Sequence, residues 1–381
     1  MNTTITTKIQ IIVPKEYKNQ IDETLKKYSE ACNEISEYSA KTNILSQSEL
    51  NRVLYYNLRA KYGLPSQMTQ SCIKTVISAY AQLISTKKLF DKCGNKRIPK
   101  FNPQISLVWN KDYSIPKKQN IGRVLSLSTI SGRIKVKFIC KGFKKYFNNN
   151  PKYKYGTANL VKISNKYFLH IPVSFEVPKI LPDNIKNIVG IDRGIRFLAT
   201  TYDSKGNTKF YSGGKAKNIR AKYKYLRTKL QRKHTKSSLR RLRNIGKRET
   251  RWISNENHKI SKALVKNNPN NTCFVLEDLK NIRNATTKVR KGNKYILVSW
   301  PYYQLQEYLE YKAKLHGDLV IYIDPHYTSQ ICPKCGHLEK SNRNHDTHAF
   351  TCKSCGYSSN DDRIGAMNIF RKGLEKISKL Q

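Results

Sequence analysis

Cys332, Cys335, Cys352 and Cys355 form a C-x2-C-x16-C-x2-C pattern, with Gly336 and Gly356 after each pair. Two knuckles each place two thiolates within reach of one ion, and Zn²⁺ takes four such ligands tetrahedrally. The pattern therefore predicts a ribbon over 326–357 closed by a metal. Four cysteines leave no open coordination position, so the expected Zn²⁺ is structural. The glycines let the backbone turn tightly beneath the sulfurs. His337, His345 and His348 lie between the knuckles as alternative ligands, with a solvated loop the simpler reading. The other five cysteines (Cys32, Cys72, Cys93, Cys140 and Cys273) stand singly. This usage implies a reducing cytosol and one metal site, not a disulfide framework.

Three carboxylates stand out against a chain poor in acids. Asp192 ends the apolar run Asn187 to Asp192 inside Gly-Ile-Asp-Arg-Gly, and Glu277 ends Thr272 to Glu277. The pair Asp361-Asp362 opens a helical pattern. A lone carboxylate at the end of an apolar strand faces a desolvation cost. Three that converge can share divalent cations, the arrangement two-metal phosphodiester hydrolysis needs, with Asp192 bridging both Mg²⁺ ions. Asp278 should face away from Glu277 on a strand. Geometry alone does not choose between Asp361 and Asp362.

Periodicity divides the rest. Lys8 to Pro14 reads as a strand. Helical patterns follow from Lys15, from Ser46 with Glu49 as a capping box, and from Ser66 to about Asp91. Period-two segments then run through Gln104 to Trp109, Gly122 to Ser128, Gly132 to Cys140, Gly156 to Ser164 and Lys166 to Glu176. These predict a β-barrel (1–14 and 92–182) with a helical insertion (15–91) in its first connection. Beyond a linker at Leu181 to Asn184, a hairpin of strands precedes a long basic helical region, Gly214 to about Asn267. A strand, a helix from Pro301 to His316, the strand Leu319 to Ile323 and a last helix near Asp361 complete it. That order is the order of an RNase H-like α/β domain (183–325 and 358–381), interrupted by the ribbon. The expected fold is multidomain α/β.

The charge balance names a partner class. Lys and Arg number 72 against 26 Asp and Glu, a formal net charge of +46. Self-repulsion of that size suits a chain that grips a polyanion, and nucleic acid is the commonest one. It argues against a freestanding enzyme for a small neutral metabolite. Arg220 to Arg251 concentrates the charge, with fourteen Lys and Arg against one acid, Glu249. Like charges at i, i+4 weaken a helix unless phosphates offset them. Arg227, Arg232, Lys233, Arg240, Arg241 and Arg243 are the candidate nucleic-acid contacts. Lys334, Lys340, Arg343 and Lys353 suggest that the ribbon touches nucleic acid too. No run of about eighteen apolar residues exists to span a membrane, and the polar start at Met1 to Lys18 lacks an apolar signal core.

These motifs together resemble TnpB, the insertion-sequence-encoded, RNA-guided DNA endonuclease related to type V CRISPR effectors. The resemblance lies in Gly190-Ile191-Asp192-Arg193-Gly194 with Ala199-Thr200, in Leu276-Glu277-Asp278-Leu279, and in Asp362-x3-Ala366-x-Asn368-Ile369. Tyr327-Thr328-Ser329-Gln330 leading into Cys332 is similar to the family's approach to its ribbon. It covers Asn187 to Phe370, while the N-terminal half matches the layout only by pattern. The resemblance implies a RuvC-like nuclease with Asp192, Glu277 and Asp362 (chosen over Asp361) as catalytic Mg²⁺ ligands. It implies a wedge-like barrel and a helical recognition insertion. Guide RNA from the transposon end and a target DNA duplex with an adjacent motif are the implied partners, in a prokaryotic cytosol at the nucleoid. RNA-guided binding without cleavage, and unguided RNase H-like cleavage, are the alternatives. Monomer and homodimer stay equally open.

Overall fold

The computed structural model describes residues 2–91, 93–116, 124–148, 150–178, 180–279, 302–344 and 346–379. Most of the polar loop expected before Pro301, Pro301 itself, Gly122 and His345 lie outside them. The chain forms two units, Met1–Glu176 and Val177–Gln381. Among the described residues no helix is long and apolar enough to cross a membrane.

In the first unit, β1 (Asn2–Ile12) leads into α1 (Lys15–Thr42), α2 (Gln47–Tyr62) and α3 (Ser66–Ser85). The strands β2 (Gln104–Leu107), β3 (Tyr113–Ser114), β4 (Val124–Thr129), β5 (Gly132–Ile139), β6 (Lys154–Tyr155), β7 (Ala158–Ile163) and β8 (Lys166–Glu176) follow. They pair antiparallel in the order β2-β7-β8-β1-β5-β4-β3, with β6 also on β8. The two outer strands, β2 and β3, are chain neighbours joined by a turn in which Tyr113 N–H donates to Val108 O at 3.2 Å. This nearly closes the sheet into a barrel. One continuous core runs from Ile9 and Leu169 of the strands to Ile21, Cys72 and Tyr80 of the helices. The helical insertion thus buries its apolar stripe on the barrel that it interrupts.

Three local expectations are corrected here. The first strand begins at Asn2, not Lys8, because Thr3 and Thr7 alternate inward and are buried, and β-branched threonines fit a pleated surface. Ser46 stands at the N-cap of α2, but its hydroxyl meets Ser48 Oγ at 2.8 Å, so the Ser46–Glu49 capping box does not form. Helix α3 stops at Ser85, where Thr86 Oγ1 donates back to Gln82 O at 2.7 Å and Lys87 turns to φ 53°.

The second unit opens with β9 (Asn187–Asp192), β10 (Phe197–Asp203) and β11 (Thr208–Ser212). The basic stretch is three helices rather than one: α4 (Gly214–Arg232), α5 (Lys236–Ile245) and α6 (Arg248–Lys266). His234 at φ 48° and a Thr235 cap on Ser238 N–H make the first break, and Gly246 at φ 46° the second. Then come β12 (Thr272–Glu277), α7 (Tyr302–His316), β13 (Leu319–Ile323), the small ribbon strands β14 (Arg343–Asn344), β15 (Ala349–Thr351) and β16 (Ser358–Asn360), and α8 (Asp361–Ser378). The main sheet has the order β11-β10-β9-β12-β13, with β9, β12 and β13 parallel and β10 and β11 antiparallel. Helix α8 lies so close to it that a Cβ at Gly190 would sit 2.5 Å from Phe370 N, and one at Gly373 would sit 2.8 Å from Val275 Cγ1.

Candidate functional site

Parallel pairing fixes the first two carboxylates. Ile191 is in register with Leu276, so the next step along both strands sets Asp192 beside Glu277 at one end of the sheet. Arg193, buried just past β9, donates to Glu277 O at 2.6 Å and to Gln306 Oε1 of α7 at 3.0 Å, which holds the two strand ends together. Asp278 is committed to the sheet through its N–H, 2.9 Å from Ile323 O.

The third comes from the first turn of α8. Asn360 caps that helix, its Oδ1 accepting from Asp362 N–H and Arg363 N–H at 3.1 Å each, and the positive helix end favours acids there. The two adjacent aspartates have different partners. Asp361 is buried and bonded by Arg343, with Nε and Nη2 both 2.9 Å from Oδ2. Asp362 turns toward β9, its Oδ1 3.7 Å from where a Gly194 Cβ would lie, and Asp192 Oδ2 would touch a methyl on Gly365. Asp362 Oδ2 is buried with no hydrogen-bond partner among the described residues.

The electrostatics report crowding of like charge. Burial, and then the charges of Glu277 and Asp362, push Asp192 up to about 8. Burial also raises Glu277, against a counteracting hydrogen bond from Thr328, and raises Asp362, with Asp361 adding to it. Carboxylates buried together are stable when a cation offsets their charge. The orphan Asp362 oxygen and the oxygen-only donor set fit a hard divalent cation such as Mg²⁺.

In the ribbon, Cys332 Sγ lies 3.7 Å from Cys355 Sγ, and Cys335 Sγ lies 3.6 Å from Cys352 Sγ. Tetrahedral zinc with bonds of about 2.3 Å spaces its sulfurs about 3.8 Å apart, so these four side chains fit that ion. Burial raises the Cys352 thiol, yet N–H groups of Cys355 and Ser354 and the neighbouring thiols bring it to about 6, while Cys355, lowered by the Tyr357 N–H, is pushed up by burial and by the thiols around it. Gly336 and Gly356 take φ 78° and 67° where the knuckles turn. His337 bonds Glu339 at 3.0 Å instead of the sulfurs.

Comparison with known proteins follows the same lines. A family model described as a probable transposase (OrfB of IS605) matches residues 170–312, and one described as the Cas12f1-like TNB domain matches 302–369. The CRISPR-associated endodeoxyribonuclease Cas12f1 of Sulfoacidibacillus thermotolerans is 26% identical over 375 residues, 90% of this chain and 85% of the relative. A TnpB-like protein of Methanocaldococcus jannaschii is 31% identical over 202 residues, 51% of this chain and 72% of the relative. The chain belongs to the TnpB family. A solved Cas12f1–sgRNA–target DNA complex shares the fold with TM-score 0.58 at 14% identity, over 97% of this chain and 98% of that one.

The partners of several residues in this TnpB-family chain could not be read from its motifs. Thr328 Oγ1 donates to Glu277 Oε1 at 2.6 Å, and Asn368 Nδ2 in turn holds Thr328 O at 2.7 Å and Ile331 O at 2.8 Å. Arg343, expected on nucleic acid, is spent on Asp361, while Lys334, Lys340 and Lys353 stay exposed. His348, expected in a solvated loop, stands 3.4 Å from Asp361 Oδ2. Of the six basic candidates, Arg232, Lys233, Arg240, Arg241 and Arg243 are exposed, whereas Arg227 is half-buried and pairs with Glu249 at 2.6 Å.

Proposed function

We propose that this chain is an RNA-guided DNA endonuclease of a transposable element, cutting double-stranded DNA beside a short target-adjacent motif. The observation that carries the reading is Asp192, set beside Glu277 by the register of β9 on β12 and raised by burial and then by the charges of Glu277 and Asp362, in a TnpB-family chain. The sheet order, with three parallel central strands and an antiparallel hairpin on one edge, supports an RNase H-like (RuvC) nuclease. Guide RNA from the transposon end and target DNA are the partners, in keeping with the net charge of +46 and the guide-bound solved relative.

Asp192, Glu277 and Asp362 would hold Mg²⁺, and Cys332, Cys335, Cys352 and Cys355 would hold Zn²⁺ as a structural ion. Bound Mg²⁺ supplies water activation and stabilises the oxygens of the phosphodiester in flight. The protein's part is positioning. Thr328 orients Glu277, Arg193 ties the end of β12 to the loop after β9, and the capped first turn of α8 presents Asp362. The exposed Arg and Lys of α4 and α5 would carry the nucleic-acid backbone by charge, without reading sequence.

The test is to purify the protein with its cellular RNA, sequence that RNA, and offer a matching target in Mg²⁺. Cutting that stops with Asp192→Ala and with RNase treatment is the expected result. RNA-dependent binding without cutting would overturn the nuclease assignment, and cutting that survives RNase would overturn the guide.

A further inference from the structure

We propose that His348, at the tip of the ribbon hairpin, is a nitrogen ligand for a divalent cation at Asp362, with Asp361 as the carboxylate that orients its ring. The inference rests on the reading that Asp192, Glu277 and Asp362 hold divalent cations, and it adds a residue from outside that set.

Three observations carry it. A ring nitrogen of His348 and one oxygen each from Asp361 and Asp362 all lie within 4.8 Å of one another. Among the described residues only the four-cysteine group shares that property. Asp362 is 8% exposed, and its Oδ2 is buried with no hydrogen-bond partner among the described residues. Asp361 is already used up: Oδ1 accepts from Asp362 N–H at 2.9 Å, and Oδ2 takes Arg343 at 2.9 Å and His348 Nδ1 at 3.4 Å.

The proposal takes the tautomer in which Nδ1–H faces Asp361. With Nδ1–H donating to Asp361, the lone pair stays on Nε2, for which the described residues provide no partner. A carboxylate that orients an imidazole through one nitrogen while the other binds metal is a common metalloprotein arrangement. The backbone holds His348 there. Ala349 pairs with Asn360, so His348 falls opposite Asp361 as the ribbon runs into α8. His348 O accepts from Asp361 N–H at 3.2 Å and Asn360 Nδ2 at 3.4 Å, and the residue takes φ 55°. An imidazole beside carboxylates favours first-row transition ions over Mg²⁺, so Mn²⁺ is the probe of choice.

The experiment uses the full chain with its copurified RNA, histidine labelled with ¹⁵N in the ring, and Mn²⁺ as the only added divalent ion. Pulsed electron paramagnetic resonance then reads nitrogen coupling to the bound ion, and the label separates histidine from RNA nitrogen. A ¹⁵N coupling is expected in the unaltered protein, lost in His348→Gln and His348→Asn, and kept in His337→Gln. Mn²⁺ affinity should fall about tenfold in the two His348 variants, with zinc content unchanged as a check on the ribbon. Mn²⁺ that binds in an Asp192-dependent way without ¹⁵N coupling, or coupling that persists without His348, overturns the His348 assignment alone. Mn²⁺ binding indifferent to Asp192→Ala overturns the three-carboxylate reading beneath it.

Discussion

Arg227 donates to Glu249 across 2.6 Å, joining α4 to α6 through the one acid in the most basic stretch of the chain. Glu249 is buried, and Arg220, also buried, lies 4.0 Å from its other oxygen. Two of the fourteen cations therefore hold the helices to one another. Removing the acid takes a charged hydrogen bond from Arg227, so Glu249→Ala should cost about 2 kcal/mol of stability. A fall in the midpoint of chemical denaturation checks it, with Arg227→Ala shifting the same midpoint in the same direction.

The exposed cations should behave differently. Replacing Arg240 and Arg241 together by alanine should leave the denaturation midpoint within about 0.5 kcal/mol of its starting value. Nucleic-acid affinity should weaken, and the slope of log affinity against log salt should shrink by about 1.5 for the two charges. Titration of binding at several salt concentrations measures both quantities, and an unchanged slope would remove these residues from the interface.

Thr328 tests how tightly the site is held. Thr328→Val keeps the shape but takes the hydrogen bond from Glu277, which burial already raises. Cleavage in Mg²⁺ should slow between about 10-fold and 100-fold, and its acid limb should move to higher pH, with RNA retention unchanged. Thr328→Ser, which restores the hydroxyl, should recover most of the rate. Equal losses in both variants would assign Thr328 to packing.

Asp192 gives a pH signature before any cation is added. Its carboxyl is pushed up to about 8 in the fold, against about 3.9 in an unfolded chain. Between those values the folded state holds a proton that the unfolded state releases, so this group makes stability fall as pH rises. Asp192→Asn should flatten that fall from about pH 5 to 8 in thermal melts. Mg²⁺ should raise the melting temperature of the unaltered protein more at pH 8 than at pH 5, and should do little for the variant.

How much of this was legible beforehand follows from where the signals lie. Strands β8, β9, β12 and β13 match their sequence boundaries because each is an apolar or strictly alternating run between turn residues. The start of β1 was hidden by threonines, which are polar by composition and strand-forming by shape. The three-way division of the basic region depends on His234 and Gly246, both in left-handed backbone that charge patterning does not show. Thr328 meets Glu277 from 51 residues away, and Arg343 meets Asp361 only once the ribbon register is set. Contacts of that kind have no local period to read.

The tight seat of α8 on the sheet has a genetic corollary. Gly190, Gly365 and Gly373 lie where a single methyl would collide with Phe370, Asp192 or Val275. One codon change to alanine at Gly190 or Gly373 would press the helix carrying Asp362 off the sheet, and one at Gly365 would push the Asp192 carboxylate aside, with every acid still in place. A lineage could thus shed cutting and keep its grip on RNA without losing an acidic residue. An intact set of acids is therefore not by itself the mark of a working copy.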